Sequence, residues 1–284
     1  MASEKREQSI GQAQEQALLH GGLRGRMAGA FCTLQSSVDA LQRYLLTSTT
    51  PEVYETARAM LEEMDRRLAM LQRISGNAAD LACGVLTRGA EELAPLELTD
   101  YLSEIAACVN EELTLRGFTA HLTVRWKDGP FWAMATTGLV DGIVVNLISN
   151  FLQVCPGGNI RLTLGPDRIL RYADDGPGMD ASAAATLLER GEAPISLQKK
   201  GSLGLLLVRE YALAMNWSVQ VEPAEQGLAI RFVLPEFEMP AARSSLWDAA
   251  AETRSRTSLF VARLTRELDG VFGLPRPAPR NIKK

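Results

Sequence analysis

A carboxylate followed by two glycines ends an apolar-patterned run in the middle of the chain. Residues 173–179 read Ala-Asp-Asp-Gly-Pro-Gly-Met, which places Asp174, Gly176 and Gly178 at D-x-G-x-G spacing. Such a carboxylate can accept a hydrogen bond from the exocyclic amine of a purine, and the glycines let the backbone approach the ring. The same spacing also occurs in ordinary turns, so the neighbouring segments have to decide between a nucleotide site and a turn.

Two asparagines lie upstream on one face of a predicted helix. Apolar residues between 139 and 148 recur at helical spacing, and Asn146 and Asn150 are four residues apart. An amide oxygen is a suitable ligand for Mg²⁺, although two polar residues at the solvated edge of a core helix are the alternative. Downstream, the small residues around Gly201 lead into an apolar helix, whose free amides favour phosphate.

The order and spacing of these three segments resemble the ATP-binding domain of sensor histidine kinases, within the GHKL superfamily. The resemblance covers about residues 95–235 and implies that ATP and Mg²⁺ bind here. It places Asp174 at the adenine amine, Asn150 at the magnesium ion, and residues 179–200 as a lid over the nucleotide. The residues that it places at the nucleotide are Asn146, Asn150, Asp174, Gly176, Gly178, Lys200, Gly201, Ser202, Leu203, Gly204 and Leu205.

Two amphipathic helices are predicted before that domain. Apolar residues step by three or four positions from Leu19 to Leu45 and again from Val53 to Val85, and Pro51 separates the two stripes. Two helices joined by a short loop form an antiparallel hairpin. One hairpin has little to bury its wide apolar face against, so a second copy would complete a four-helix bundle. The sequence therefore predicts a homodimer through residues 18–86.

The rest of the chain completes the predicted architecture. Residues 87–97 are predicted to be a linker, and the patterns within 95–235 predict an α+β sandwich, the Bergerat fold of the resemblance, with helices on one face of a mixed sheet. A further helix is predicted at 243–272, packed on its own chain or docking a partner. The basic, proline-rich tail 273–284 is predicted to be disordered.

Composition limits the classes of partner and the compartment. The net charge of −4 gives no electrostatic reason to expect a nucleic acid or an anionic membrane. The four cysteines form no metal-ligand spacing and indicate reduced residues of a cytoplasmic protein. No signal peptide or membrane-spanning run is visible, so we expect neither membrane insertion nor a membrane-embedded sensor.

A histidine kinase needs a phosphoacceptor histidine on its first hairpin helix. The chain has two histidines, and His121 lies in a predicted strand, where we expect a structural role. His20 lies where the family carries its phosphoacceptor, which makes it the candidate catalytic residue. The family has an acidic residue after that histidine, but Gly21 stands here and provides no carboxylate to act as a base.

Other departures from the family concern the phosphate side of the site. Phe151 follows Asn150 where the family has a small residue, and the basic residue that usually follows is missing. Ser202 replaces a glycine, whereas Lys199 or Lys200 can supply positive charge to the phosphates. Nucleotide binding is therefore better supported than catalysis.

The sequence leaves two functions open. The first is a cytoplasmic histidine-kinase-like protein that binds Mg-ATP, phosphorylates His20 and passes the phosphate to a response regulator. The second is a catalytically degenerate protein whose dimeric hairpin binds a partner, with ATP as a structural ligand or a switch. A phosphotransferase that no longer uses ATP is disfavoured, because Asp174, Gly176 and Gly178 are all present.

Overall fold

The computed structural model describes residues 26–27, 29–86, 93–127, 129–191, 203–237 and 249–272, with side chains described in all of these except 79–86 and 249–256. Several sequence predictions concern residues outside these ranges. They are His20, Gly21, the loop residues Lys199, Lys200, Gly201 and Ser202, most of the linker, and the tail 273–284.

The described N-terminal part is a helical hairpin. Helix α1 covers residues 29–48, and α2 covers Pro51–Leu86. Pro51 opens α2 because its fixed φ suits the first helical turn and its missing N–H would have no partner there. Between the helices, Val38 and Leu61 are buried, and buried Asp65 accepts a hydrogen bond from Gln35 Nε2 at 2.8 Å. The glutamine thereby satisfies a carboxylate that would be costly to bury alone.

A small antiparallel sheet of two strands adjoins helix α3, which covers Leu98–Leu115. Strand β1 (Ala94–Glu97) pairs with β3 (Trp132–Ala135), although the sequence predicted a linker over most of β1. The Glu97 carboxylate accepts from Thr99 N and Asp100 N at the start of helix α3. It also accepts from Phe131 N at 2.8 Å. One side chain therefore caps a helix and ties it to the residue before β3.

The main sheet has five strands in the order β2-β4-β5-β7-β6. Only the β2–β4 pair is parallel. Every second side chain along the strands of this sheet is apolar and buried beneath the helices, such as Leu122, Ile160 and Phe232. The strands are β2 (Thr119–Trp126), β4 (Gly157–Gly165), β5 (Ile169–Asp174), β6 (Ser218–Glu222) and β7 (Ala229–Val233).

Two further helices complete the covered side of the sheet. Helix α4 (Thr137–Val154) packs closely on α6 (Leu203–Ala214), and α5 (Ala181–Ala185) continues into a single π-helical turn at Thr186–Arg190. The predicted α+β class is confirmed, with a helical N-terminal region followed by an α/β-sheet domain. By length and composition α4 could cross a membrane, but 72% of it is buried within the protein, which is typical of a core helix.

The C-terminal helix α7 (Ala249–Phe272) packs on its own chain. It contacts α2, α3 and α4, and its residues Phe260, Leu264 and Leu268 are fully buried. Gly270 lies against α2, where an added Cβ would stand 2.7 Å from Arg73 Cβ. Because α7 contacts both the hairpin and the helices of the sheet domain, it joins the two.

A buried carboxylate on α4 faces the C-terminal helix. Asp141 is only 6% exposed and accepts a hydrogen bond from the Tyr101 hydroxyl. Burial raises the pKa of Asp141 to about 6, while the Tyr101 hydrogen bond and the Arg263 charge on α7 oppose that rise. Arg263 also donates to Gly138 O and to the Tyr211 hydroxyl, so a polar cluster anchors α7 to the start of α4.

Candidate functional site

Helix α4 carries Asn146 into the interior. Asn146 is 3% exposed, and its Nδ2 donates to Gly142 O at 2.8 Å, within the same helix. Its Oδ1 is buried and has no hydrogen-bond partner within the described ranges. A buried acceptor without a partner is costly, so this oxygen is a position that a ligand would satisfy. The solvated-edge interpretation of Asn146 is therefore wrong.

The second asparagine lies one turn further along, against the start of α6. A Cβ added to Gly204 would stand 3.0 Å from Asn150 Oδ1 and 3.1 Å from Asn146 Oδ1. A glycine at this position lets the first turn of α6 come close to both amides. The free N–H groups at a helix start carry partial positive charge and favour phosphate. The structure thus brings Asn146, Asn150, Gly204 and the start of α6 together, as the sequence predicted.

Asp174 is held in place by three donors. Its Oδ1 accepts from Gly176 N at 3.0 Å and from Leu228 N at 3.2 Å, and its Oδ2 accepts from the Tyr172 hydroxyl at 2.8 Å. A carboxylate oxygen has two lone pairs, so Oδ2 keeps one acceptor position for a ligand. Burial, followed by the Asp174 charge and hydrogen bond, raises the pKa of Tyr172 well above its ordinary value. Tyr172 is therefore a neutral donor.

The glycine turn after Asp174 packs against the turn between β6 and β7. Gly178 has a φ of +76°, and a Cβ there would stand 2.8 Å from Gly227 O. Gly227 has a φ of +77°, and a Cβ there would stand 1.9 Å from Asp174 O. Both positions require glycine on two counts, namely the left-handed backbone and the close approach.

These residues surround one cavity of about 90 Å³. Its wall is mostly apolar, and Asn150 and Asp174 provide polar groups at its edge. A mostly apolar pocket with a few placed polar groups is typical of a small-molecule site. The residues that line it are Leu147, Asn150, Phe151, Val154, Tyr172, Asp174, Gly178, Met179, Leu205 and Leu228.

Residues 138–238 match the family described as histidine kinase-, DNA gyrase B-, and HSP90-like ATPase. That range contains the asparagine helix, the glycine turn after Asp174 and helix α6. This part of the chain is a GHKL-superfamily ATPase domain. No match was found among curated proteins.

Three solved structures of histidine kinases are similar to this chain. Full-length ShkA in complex with AMPPNP is 20% identical with a TM-score of 0.51, and the match covers 77% of this chain and 48% of ShkA. The mycobacterial sensor kinase MprB is 23% identical with a TM-score of 0.40, covering 52% of this chain and 99% of that structure. AdeS of Acinetobacter baumannii is 12% identical with a TM-score of 0.45, and the match covers 71% of this chain and 95% of that structure. Because the match covers 48% of ShkA, this chain spans about half the length of that protein.

The ATPase domain contains one site residue that sequence reasoning missed. Tyr172 lies two positions before Asp174 on the same strand, and both side chains point to one face of the sheet. That alternation was visible in the sequence and could have placed a tyrosine hydroxyl beside the carboxylate. The structure also shows that Phe151 lines the cavity, whereas the sequence had identified this residue only as a departure from the family.

Among the described residues, no group of three or more His, Cys, Asp and Glu side chains is placed to hold a metal ion. The side chains of Asn146 and Asn150 provide amide oxygens, which are hard ligands, at the start of α6. Mg²⁺ commonly takes one or two protein oxygens and completes its shell with phosphate oxygens and water. The buried, unpaired Oδ1 of Asn146 fits such a site within the ATPase domain.

Proposed function

We propose that the protein binds Mg-ATP in this cavity and acts as a cytoplasmic histidine-kinase-like protein in two-component or phosphorelay signalling. The observation that carries the proposal is that Asp174, Asn150 and Leu205 of α6 line one cavity, while Asn146 lies beside Asn150 at Gly204 of α6, within a domain that matches the GHKL ATPases. An adenine amine would donate to Asp174 Oδ2, which retains one acceptor position.

The phosphates would lie beside the start of α6. There the helix amides face the amides of Asn146 and Asn150, and Lys200, Gly201 and Ser202 immediately precede the helix in the sequence. Asn150, with Asn146, would hold Mg²⁺, which supplies charge neutralisation on the phosphate oxygens. Leu203, Gly204 and Leu205 form the first turn of α6 and so bring its amides to the phosphates.

The proposed acceptor of the γ-phosphate is His20. In that transfer a bond forms between a histidine nitrogen and the γ-phosphorus, the bond to the β,γ-bridging oxygen breaks, and ADP leaves. The phosphate then moves to an aspartate of a response regulator. Gly21 provides no carboxylate to assist the histidine, so we expect the first transfer to be slow. General-base help is worth about 10²–10⁴-fold in rate.

The first experiment is incubation of the protein with γ-labelled ATP and Mg²⁺, followed by measurement of acid-labile, base-stable label. We expect slow labelling of the wild type, no label on His20→Gln, and unchanged label on His121→Gln, the matched control at the other histidine. Gly21→Glu should raise the rate, because it restores a carboxylate next to the acceptor. Label that remains on His20→Gln, or a wild-type rate equal to that of an ordinary kinase, would contradict this assignment.

The second candidate function is a catalytically degenerate scaffold with ATP as a structural ligand or switch. The observation that favours it is the large Phe151 side chain in the wall of the cavity, together with Gly21 next to His20. The absence of any label on a wild type that does bind ATP would favour this function. Its partner would bind the helical hairpin.

We also propose that two copies of the chain associate through the hairpin. The inner side of α2 is buried against α1, whereas four apolar residues on its outer side are 46–67% exposed. Exposed residues on α1 extend this surface. An apolar surface of this extent is typical of a protein interface, and pairing it with its own copy completes a four-helix bundle. The residues are Leu34, Leu41, Val53, Met60, Met64 and Leu71.

The variant Leu34→Asp/Leu41→Asp should be monomeric or aggregate, because it places two charges in the proposed apolar interface. Light scattering at micromolar concentration measures the mass. The matched control is Ser36→Asp/Arg43→Asp, which has the same spacing on the opposite face of α1 and should stay dimeric. A monomeric wild type, or a dimeric Leu34→Asp/Leu41→Asp variant, would contradict the bundle.

A further inference from the structure

The cavity beside Asp174 is too small for a purine in the arrangement that the structure shows. Its volume is about 90 Å³. An apolar cavity of roughly 150 Å³ admits benzene, and pockets for larger ligands measure roughly 300–1,000 Å³. Adenine has more ring atoms than benzene. A purine that lies wholly within the described walls therefore requires this part of the pocket to widen.

The Phe151 ring occupies the space in which a base would approach the glycine turn. Phe151 is 3% exposed and lines the cavity. A Cβ added to Gly176 would stand 3.4 Å from both Phe151 Cδ2 and Cε2, and one added to Gly158 would stand 3.3 Å from Phe151 Cζ. Because Gly176 has no side chain, a ligand could approach its backbone from this side. The Phe151 ring lies at van der Waals distance from the position that a side chain would take, so it fills this space.

Of the two aromatic side chains in this wall, Phe151 is the one whose movement would leave the donors to Asp174 in place. Tyr172 donates to Asp174 Oδ2, and its displacement would remove one of the three donors that orient the carboxylate. No polar interaction holds the Phe151 side chain, and it follows Asn150 directly on α4. Rotation of the ring about χ1 would enlarge the cavity while leaving Asp174 and Asn150 in place.

We infer that Phe151 closes the base pocket and lowers the affinity of the protein for ATP. This inference rests on the proposed nucleotide function of the same cavity. The apparent dissociation constant rises by the inverse of the fraction of molecules whose pocket is open. Phe151 therefore sets how much ATP is needed to occupy the site, and a smaller residue in its place removes that barrier.

Calorimetric titration with Mg-ATP tests the inference. We expect Phe151→Ala to bind at least about tenfold more tightly than the wild type, because the pocket no longer has to open. Leu152→Ala is the matched control, since Leu152 is equally buried on α4 but does not line the cavity. It should bind no more tightly than the wild type. Inorganic triphosphate lacks a base, so it should bind equally to the wild type and to Phe151→Ala.

Adding Asp174→Asn to Phe151→Ala should weaken ATP binding by about tenfold to a hundredfold, because an adenine amine would lose its acceptor. If Phe151→Ala unfolds, Phe151→Leu is used instead, since it removes ring atoms but keeps an apolar side chain of substantial size. Thermal unfolding of each variant verifies that it is folded.

The outcomes separate the inference from the proposed function. Binding to the wild type with no gain in Phe151→Ala or Phe151→Leu overturns the inference and leaves the proposed function intact. Binding to Phe151→Ala alone supports the inference and shows that the wild-type pocket is closed to ATP. No binding of ATP to any of the proteins overturns both. If Phe151→Ala also binds triphosphate more tightly than the wild type does, by the same factor as for ATP, the inference is overturned. The ring would then affect binding of the phosphates and not of the base.

Discussion

Gly227→Ala should lose ATP binding and reduce the free energy of unfolding by about 3–5 kcal/mol. The new Cβ would stand 1.9 Å from Asp174 O and 2.6 Å from Asp174 Oδ1, which is closer than any non-bonded contact allows. The φ of +77° is also unfavourable for alanine. Both of these atoms belong to Asp174, one to its backbone and one to its hydrogen-bonded carboxylate. Asp174 therefore has to move to make room for the new Cβ. Urea unfolding followed by circular dichroism measures the stability, and calorimetry measures binding.

Gly117→Ala separates the clash from the backbone strain. Gly117 has a nearly identical φ of +78°, but an added Cβ would have no heavy atom within 4 Å. Its substitution should cost about 1 kcal/mol, the strain of alanine in a left-handed conformation, and should leave ATP binding unchanged. Equal losses of stability in the two variants would show that the approach of Gly227 to Asp174 is not tight in solution.

The parts of the site that follow local rules were predictable from the sequence. Helical spacing places Asn146 and Asn150 on one face of α4, and D-x-G-x-G marks the turn after β5. The resemblance to a family then brought α4, the turn and α6 together, as the structure shows with Gly204 between the two asparagines. Neither spacing nor composition alone specifies a contact between helices that lie about fifty residues apart in sequence.

The unpredicted features are those that depend on long-range contacts. Strand β1 contains a proline and four residues only, so its sequence resembles a linker, and it is a strand because β3 pairs with it. Gly227 reads as a hairpin turn until its approach to Asp174 is seen. The direction of the Phe151 ring likewise depends on the two glycines, Gly158 and Gly176, that leave room for it.

The C-terminal helix has a consequence for the proposed signalling function. Transfer of a phosphate from ATP to a hairpin histidine requires the ATPase domain to approach the hairpin. Helix α7 packs on α2 of the hairpin and on α3 and α4 of the sheet domain, so it restricts how these parts move relative to each other. An ion pair adds to the packing of α7, since Arg116, the residue that follows α3, pairs with Asp269 on α7 at 2.8 Å.

The ion pair between Arg73 on α2 and Glu267 on α7 should contribute much of the free energy that holds α7 to the hairpin. The two side chains are 12% and 8% exposed, and Arg73 Nε lies 2.5 Å from Glu267 Oε1. Glu267→Leu should reduce the free energy of unfolding by about 3–5 kcal/mol, because it leaves the Arg73 charge buried without its partner. Urea unfolding measures the change, and susceptibility of the C-terminal segment to limited proteolysis should increase.

Two variants test whether the buried charge is the cause. Glu62→Ala breaks a pair of the same type with Arg58 on the surface of α2, where the side chains are 49% and 38% exposed, and should cost much less stability because solvent screens the pair. Adding Arg73→Met to Glu267→Leu removes the unpaired charge and should recover most of the stability, since apolar residues of similar volume often replace a buried pair without loss. If Glu267→Leu costs no more than Glu62→Ala, or if Arg73→Met gives no recovery, the pair does not hold α7 to the hairpin.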